Sequence, residues 1–148
     1  MPLLKQIRVV DQDKLYNQGD QAQEIFFLYK GRVKFYFDLY IKNRVKPRLE
    51  PFCLFVEGSM FGDQDILIDN GRDGRDSTSI GQADCTLLVL TKVQIQKLLK
   101  KFPKEKRQMR QMAKDRREHF RIAIKEAQVA YEQEFGNVDA EAKTTNTM

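Results

Sequence analysis

From Val33 to Leu39 the chain alternates strictly, Val33, Phe35, Phe37 and Leu39 interleaving with Lys34, Tyr36 and Asp38. A period of two places every second side chain on one face of a strand, and here one face is wholly apolar. Such a face needs cover from a second layer. The same character recurs in Ile7 and Val9, in Glu24-Ile25-Phe26-Phe27-Leu28-Tyr29, in Phe52-Cys53-Leu54-Phe55-Val56, and in Cys85, Leu87 and Val89 with Leu88 and Leu90 on the opposite face. Turn signals separate these runs at Asn17-Gln18-Gly19-Asp20, Lys30-Gly31-Arg32, Glu57-Gly58, Asn70-Gly71 and Gly74, and Pro47 and Pro51 bracket a connecting loop. Several short strands punctuated in this way predict a sandwich or barrel.

The period changes at Thr91. Val93, Ile95, Leu98 and Leu99 are spaced as on a helix that Thr91 can cap, and Phe102-Pro103 ends it or opens the next. From Lys104 to about Phe135 no Gly or Pro intervenes, and Met109, Met112, Ala113, Phe120, Ala123, Ile124, Ala127, Ala130 and Tyr131 keep three-four spacing. That pattern predicts one long amphipathic helix ended by Gly136-Asn137, with Met109 and Met112 in the core. Val138 to Met148 reads as a polar, disordered tail.

Charge narrows the function classes. Lys100 to Lys125 holds 11 Lys/Arg against three acids, a local +8 in a chain of net +5, which leaves about −3 elsewhere. The basicity therefore belongs to one segment, and a nucleic-acid-binding role for the whole chain is disfavoured. The aromatic-basic interleaving of a single-strand binder is missing, and no helix-turn-helix follows the long helix. No run of 18 apolar residues exists, and the N-terminus has no signal-like apolar stretch. Cys53 and Cys85 are read as packed free thiols in a reducing compartment.

Four stretches in order carry a family likeness. Leu15-Tyr16-Asn17-Gln18-Gly19-Asp20 leads to Glu24-Ile25-Phe26-Phe27-Leu28-Tyr29 and Gly31-Arg32-Val33. Glu57-Gly58-Ser59-Met60-Phe61-Gly62-Asp63 follows. Arg75-Asp76-Ser77-Thr78-Ser79-Ile80 is the third, and Cys85-Thr86-Leu87-Leu88-Val89-Leu90 runs into the helical tail. Over roughly Ile7 to Phe120 the chain resembles the cyclic-nucleotide-binding domains of kinase regulatory subunits, catabolite activators and nucleotide-gated channels. Phe102-Pro103 and Ala113-Lys114-Asp115-Arg116 look closest to the voltage-gated, cyclic-nucleotide-modulated cation (potassium) channels.

The resemblance implies an α+β fold: an antiparallel β-sandwich or jelly roll at about 7–90 with a short phosphate-loop helix, then two helices at about 91–135, the last one long. Residues 1–135 form the domain and 136–148 the tail. It implies a ligand site of Gly62, Asp63, Gln64, Arg75, Asp76, Ser77 and Arg116 for cAMP or cGMP, with no other cofactor and no metal. Gly62 admits close backbone approach. Asp63 accepts from the ribose 2′-OH, Arg75 clamps the cyclic phosphate, and Arg116 closes over the base. Arg72, in the tandem repeat Arg72-Asp73-Gly74 before Arg75-Asp76-Ser77, is the alternative clamp.

Several positions depart from the family pattern. Asp63 stands where Glu is usual, Gln64-Asp65 replace an apolar-small pair, and Asp76 stands where Ser or Thr is common. An ionised carboxylate cannot donate to a phosphate and repels it, and a rotamer turned to solvent would relieve Asp76. His119, the only histidine, has no partners for metal or catalytic work, and an acid-base pair of Asp63 and Asp65 has no other support. The expected function is regulatory and not enzymatic. Ligand-driven closure of the last helix acts on an attached effector, expected to be the rest of a membrane channel, with this chain on the cytoplasmic side. The chain looks like a piece of a larger protein, since helices that precede the β-body in such channels are missing. Self-association through the long helix, no nucleic-acid partner, and a ligand-free interaction module working through the basic helix complete the expectations.

Overall fold

The computed structural model describes residues 4–68 and 74–136. Its strands are β1 (Lys5–Val9), β2 (Lys14–Tyr16), β3 (Glu24–Lys30), β4 (Val33–Leu39), β5 (Arg48–Phe55), β6 (Met60–Phe61), β7 (Thr78–Gly81) and β8 (Cys85–Thr91). The helices are α1 (Gln64–Leu67), α2 (Lys92–Lys100) and α3 (Pro103–Phe135). Two four-stranded antiparallel sheets, in the orders β1-β8-β3-β6 and β2-β7-β4-β5, face each other. The sandwich, the short helix and the long final helix are those the sequence predicted.

The alternation in β4 works as expected. Val33, Phe35, Phe37 and Leu39 are buried, and the intervening residues are half-buried. Between the sheets lies a core of Tyr16, Phe26, Leu28, Val33, Phe35, Phe61, Cys85, Leu87, Val89 and Phe120. The last of these comes from α3, so the long helix supplies part of the interior of the β-body. A second cluster, Ile25, Leu67, Leu90, Ile95, Leu99 and Ala113, joins α1, α2 and α3 to the outer side of β3 and β8. The two faces of β8 read from the sequence thus serve two cores.

One strand boundary differs from expectation, and two short strands are added. β5 begins at Arg48 and contains Pro51, which was expected to lie in a loop. It is the edge of its sheet, and its register on β4 shifts between Phe35 and Tyr36, the latter facing Pro51. An edge strand with a bulge tolerates the missing proline N–H. β2 and β6 are too short for periodicity to reveal. They form because β7 and β3 offer them partners.

The helix signals hold. Thr91 Oγ1 accepts from Gln94 N, and the Gln94 side chain accepts from Thr91 N, a reciprocal capping box. Pro103 sits in the first turn of α3, and Gly136 closes it in the left-handed conformation. The expected turn at Asn70-Gly71, Arg72, and the tail from Val138 lie outside the described residues.

Candidate functional site

The site is built where the β6–β7 connection meets the start of the chain and α3. The Gly19-Asp20 turn fixes the backbone of Arg75: Gly19 N donates to Arg75 O at 2.8 Å, and Arg75 N donates to Asp20 O at 2.7 Å. Gly74 packs so closely on this turn that a Cβ there would lie 3.1 Å from Gly19 O. Two motifs far apart in sequence are therefore one structural unit, which aims the Arg75 side chain inward.

Arg75 is only 4% exposed. Its Nη1 donates to Gly62 O at 2.6 Å and to Asp65 Oδ2 at 3.2 Å, and its Nη2 donates to Glu24 O at 2.6 Å. The guanidinium lies over the Tyr16 ring, 4.3 Å from the centroid, a cation–π contact that also keeps water away. Gly62 has φ +82°, and a Cβ on it would meet Arg75 Nη1 at 3.0 Å and Glu24 O at 3.1 Å. Glycine is needed here both for its conformation and for the space it leaves.

Asp63 is completely buried at the N-terminal boundary of α1, without a capping bond from its side chain. Both of its oxygens accept from Arg116 Nη1, at 2.6 and 2.5 Å. Gln64 is buried, and its Oε1 has no partner among the described residues. Ser77 is fully buried, and its Oγ donates to Asp76 Oδ1 at 3.3 Å. The structure thus gathers all seven expected site residues within one region linking α1, the segment before β7, and α3.

Electrostatically the site is unusual. Burial, then the neighbouring Asp76, push the Asp65 carboxyl up to about 7 in spite of Arg75. Burial also raises Asp76, against the pull of Arg117 and the bond from Ser77. Asp76 is half-buried and accepts from Ser77 Oγ, and the charge of Arg117 opposes the rise of its carboxyl. Burial raises the Tyr16 hydroxyl well above its usual range.

Beside these groups is a cavity of about 510 Å³ lined by Cys53, Phe55, Met112, Asp115, Arg116, His119, Phe120 and Ala123. Its floor is the aromatic cluster in which Phe120 lies 5.2 Å from Phe35 and 5.1 Å from Phe52. Met112, expected in the core, is instead 53% exposed on this cavity, whereas Met109 packs in the second cluster. Three-four spacing gives the same signal for both, and only the tilt of α3 separates them. Burial raises the Cys53 thiol, and Cys85 is buried with its Sγ donating to the carbonyls of Arg32 and Ala83. Packing suits both cysteines. Tyr16, Arg117 and Phe120 are the site residues that sequence reasoning missed. Tyr16 and Phe120 read as ordinary core residues, and Arg117 is one basic residue among many.

This cradle offers a buried arginine and a buried carboxylate beside an open, largely apolar cavity. The family model for the cyclic nucleotide-binding domain matches residues 6–102. Among curated proteins, no sequence relative matches. The c-di-GMP responsive global regulator CLP of Xanthomonas campestris superposes with a TM-score of 0.65 at 16% identity, over 90% of this chain and 60% of its own. The catabolite activator protein of Thermus thermophilus gives 0.62 at 15% identity, over 88% and 56%. An EAL enzyme in its cAMP-bound form gives 0.59 at 21%, over 88% and 32%. At these identities the likeness is one of fold, this chain spans only part of each of these proteins, and none of the three is a channel. With the family model covering the β-body, the cradle and the first helix after it, the chain belongs to the cyclic nucleotide-binding domain family.

Proposed function

We infer that this chain is a ligand-responsive regulatory domain whose ligand is a cyclic nucleotide, cAMP or cGMP. The observation that carries the reading is the pairing of the buried Asp63 with Arg116, which also lines the apolar cavity of about 510 Å³, close to the buried Arg75 beside Gly62. The cyclic phosphate is assigned to Arg75 and Ser77 beside Gly62, the ribose hydroxyl to Asp63, and the base to the cavity under Phe120. A ribose hydroxyl donating to Asp63 competes with Arg116 for the same carboxylate. Binding therefore changes how α3 is held, and a ligand shifts that equilibrium by its differential affinity for the two arrangements.

Movement of α3 is the output passed to an effector. Phe102-Pro103 and Ala113-Lys114-Asp115-Arg116 support a cation channel as that effector. The regulators and the EAL enzyme with the same fold support attachment to other outputs. Nothing in the role proposed here requires bond-breaking chemistry from the chain itself.

A second reading has its own observation. Arg75 and Asp63, the two groups a nucleotide needs, are already paired within the protein. In that reading the domain binds no nucleotide and works through the basic face of α3. A thermal-shift titration separates the two. Ligand at 100 times its dissociation constant adds about 2.7 kcal/mol of stability. A saturable rise with cAMP or cGMP that Arg75→Ala abolishes supports the sensor. No rise at millimolar nucleotide, from folded protein, supports the interaction module.

A further inference from the structure

The cradle contains its own anion. Asp65 lies in α1, and its Oδ2 is 3.2 Å from Arg75 Nη1, with both side chains almost fully enclosed at 4% and 3% exposure. The match between them is incomplete. Asp65 Oδ1 and Arg75 Nε, both buried, have no hydrogen-bond partner among the described residues. A well-fitted arginine–carboxylate pair makes two parallel bonds, so this pair leaves one acceptor and one donor unused, and both groups remain able to take other partners. The other two Arg75 bonds, to the carbonyls of Gly62 and Glu24, do not neutralise its charge. Among the described residues, Asp65 alone makes an ion pair with Arg75.

We propose that Asp65 is the residue that decides when the pocket accepts an anion: it is an internal counter-ion for Arg75, and an anionic ligand takes its place as Asp65 takes up a proton. The proposal rests on the nucleotide reading above and deepens it. The groups facing Asp65 from the elements packed on it are Arg75 and Asp76 from the segment before β7, Arg117 from α3, and Tyr16 from β2. Asp63, at the start of the same turn, is paired with Arg116. When a cyclic phosphate monoanion approaches Arg75, an ionised Asp65 makes three negative groups with Asp76 around two arginines. Protonation of Asp65 restores the balance. Its carboxyl, raised by burial and by Asp76, titrates close to neutral pH, so the proton comes from the solvent without a large penalty. The pocket thereby responds to ligand and pH together.

The test is binding of cAMP and cGMP to the full chain between pH 6 and 8.5, by calorimetry in two buffers of different ionisation enthalpy. For the unaltered protein the expected result is uptake of up to one proton per ligand, and a dissociation constant that rises toward tenfold per pH unit above about pH 7. Asp65→Asn, a neutral isostere, is expected to bind at least tenfold more tightly at pH 8.5, without the pH dependence. Asp65→Ala provides the same comparison if the amide misfolds. Asp76→Asn is expected to move the midpoint of the profile to lower pH, which a purely structural role for Asp65 would not do. Binding by Asp65→Asn alone also supports the proposal. Nucleotide binding with a flat profile and no proton uptake, or no gain in Asp65→Asn, overturns it while leaving the sensor reading intact. No binding by any variant at any pH overturns both.

Discussion

Arg116 on α3 reaches across 53 residues of sequence to place one nitrogen between both carboxylate oxygens of Asp63, which is completely removed from solvent. This contact ties the long helix to the cradle. Removing one partner of a buried ion pair strands the other, which generally costs about 3–5 kcal/mol. Arg116→Ala is expected to destabilise the domain by an amount near the lower end, since Arg116 is itself 18% exposed. Asp63→Ala with Arg116→Ala together should cost less than the sum of the singles, as measured by urea unfolding in a double-mutant cycle. Additive losses would show that the two residues act independently.

Phe120 is the anchor of α3 in the β-body, lying against Phe35, Phe52 and Phe55. Phe120→Ala is expected to cost about 3–5 kcal/mol through lost burial and the cavity left behind. It should also expose the amides of α3 to hydrogen exchange while those of β3, β4 and β8 remain protected. A loss below about 1 kcal/mol would show that α3 is held by other contacts.

Gly62 combines φ +82° with contacts from Arg75 and Glu24 that leave no room for a side chain. Gly62→Ala is expected to lower stability by about 1–3 kcal/mol, from backbone strain and the displacement of Arg75. In a titration it should weaken nucleotide binding more than its stability loss explains. An unchanged melting temperature would contradict the closeness of that approach.

Stability should fall as pH rises from about 4 to about 7. The Asp65 and Asp76 carboxyls are raised in the folded protein, so between the unfolded value and the folded value the native state holds more protons than the unfolded chain. Stability then decreases with pH up to the folded value of Asp65 near 7, with Asp76 acting in the same direction. Urea midpoints at pH 5 and pH 8 test the sign, and Asp65→Asn should flatten the difference. A midpoint that rises with pH in the unaltered protein, and is insensitive to Asp65→Asn, would contradict the environment described for this carboxyl.

The elements with many residues of one period were legible without coordinates. β4, β8, α2 and α3 each carry enough repeats for the buried face to be read directly, and Thr91, Pro103 and Gly136 mark helix ends through local backbone chemistry. β2 and β6 were not legible, because two or three residues have no period and become strands only by pairing with β7 and β3. Pro51 misled because its local preference was read without the knowledge that β5 is an edge. In the site, the family likeness marked Gly62, Asp63, Arg75 and Arg116 as candidates, and the structure brings them together. The sequence could not show that Asp76 accepts from Ser77 Oγ and feels the charge of Arg117, that Tyr16 lies beneath Arg75, or that Phe120 enters the core of the sandwich.

The sequence by itself determined the strand-rich body, the long helix and the set of charged groups available to a ligand, because periodicity, caps and side-chain chemistry are local properties. Only the tertiary structure decided how those charges are spent. Pairing Arg116 with Asp63 and Arg75 with Asp65 depends on α3 crossing the cradle and on the Gly19-Asp20 turn holding Arg75. Burial then shifts the Asp65 carboxyl, because a charge titrates according to what surrounds it in space.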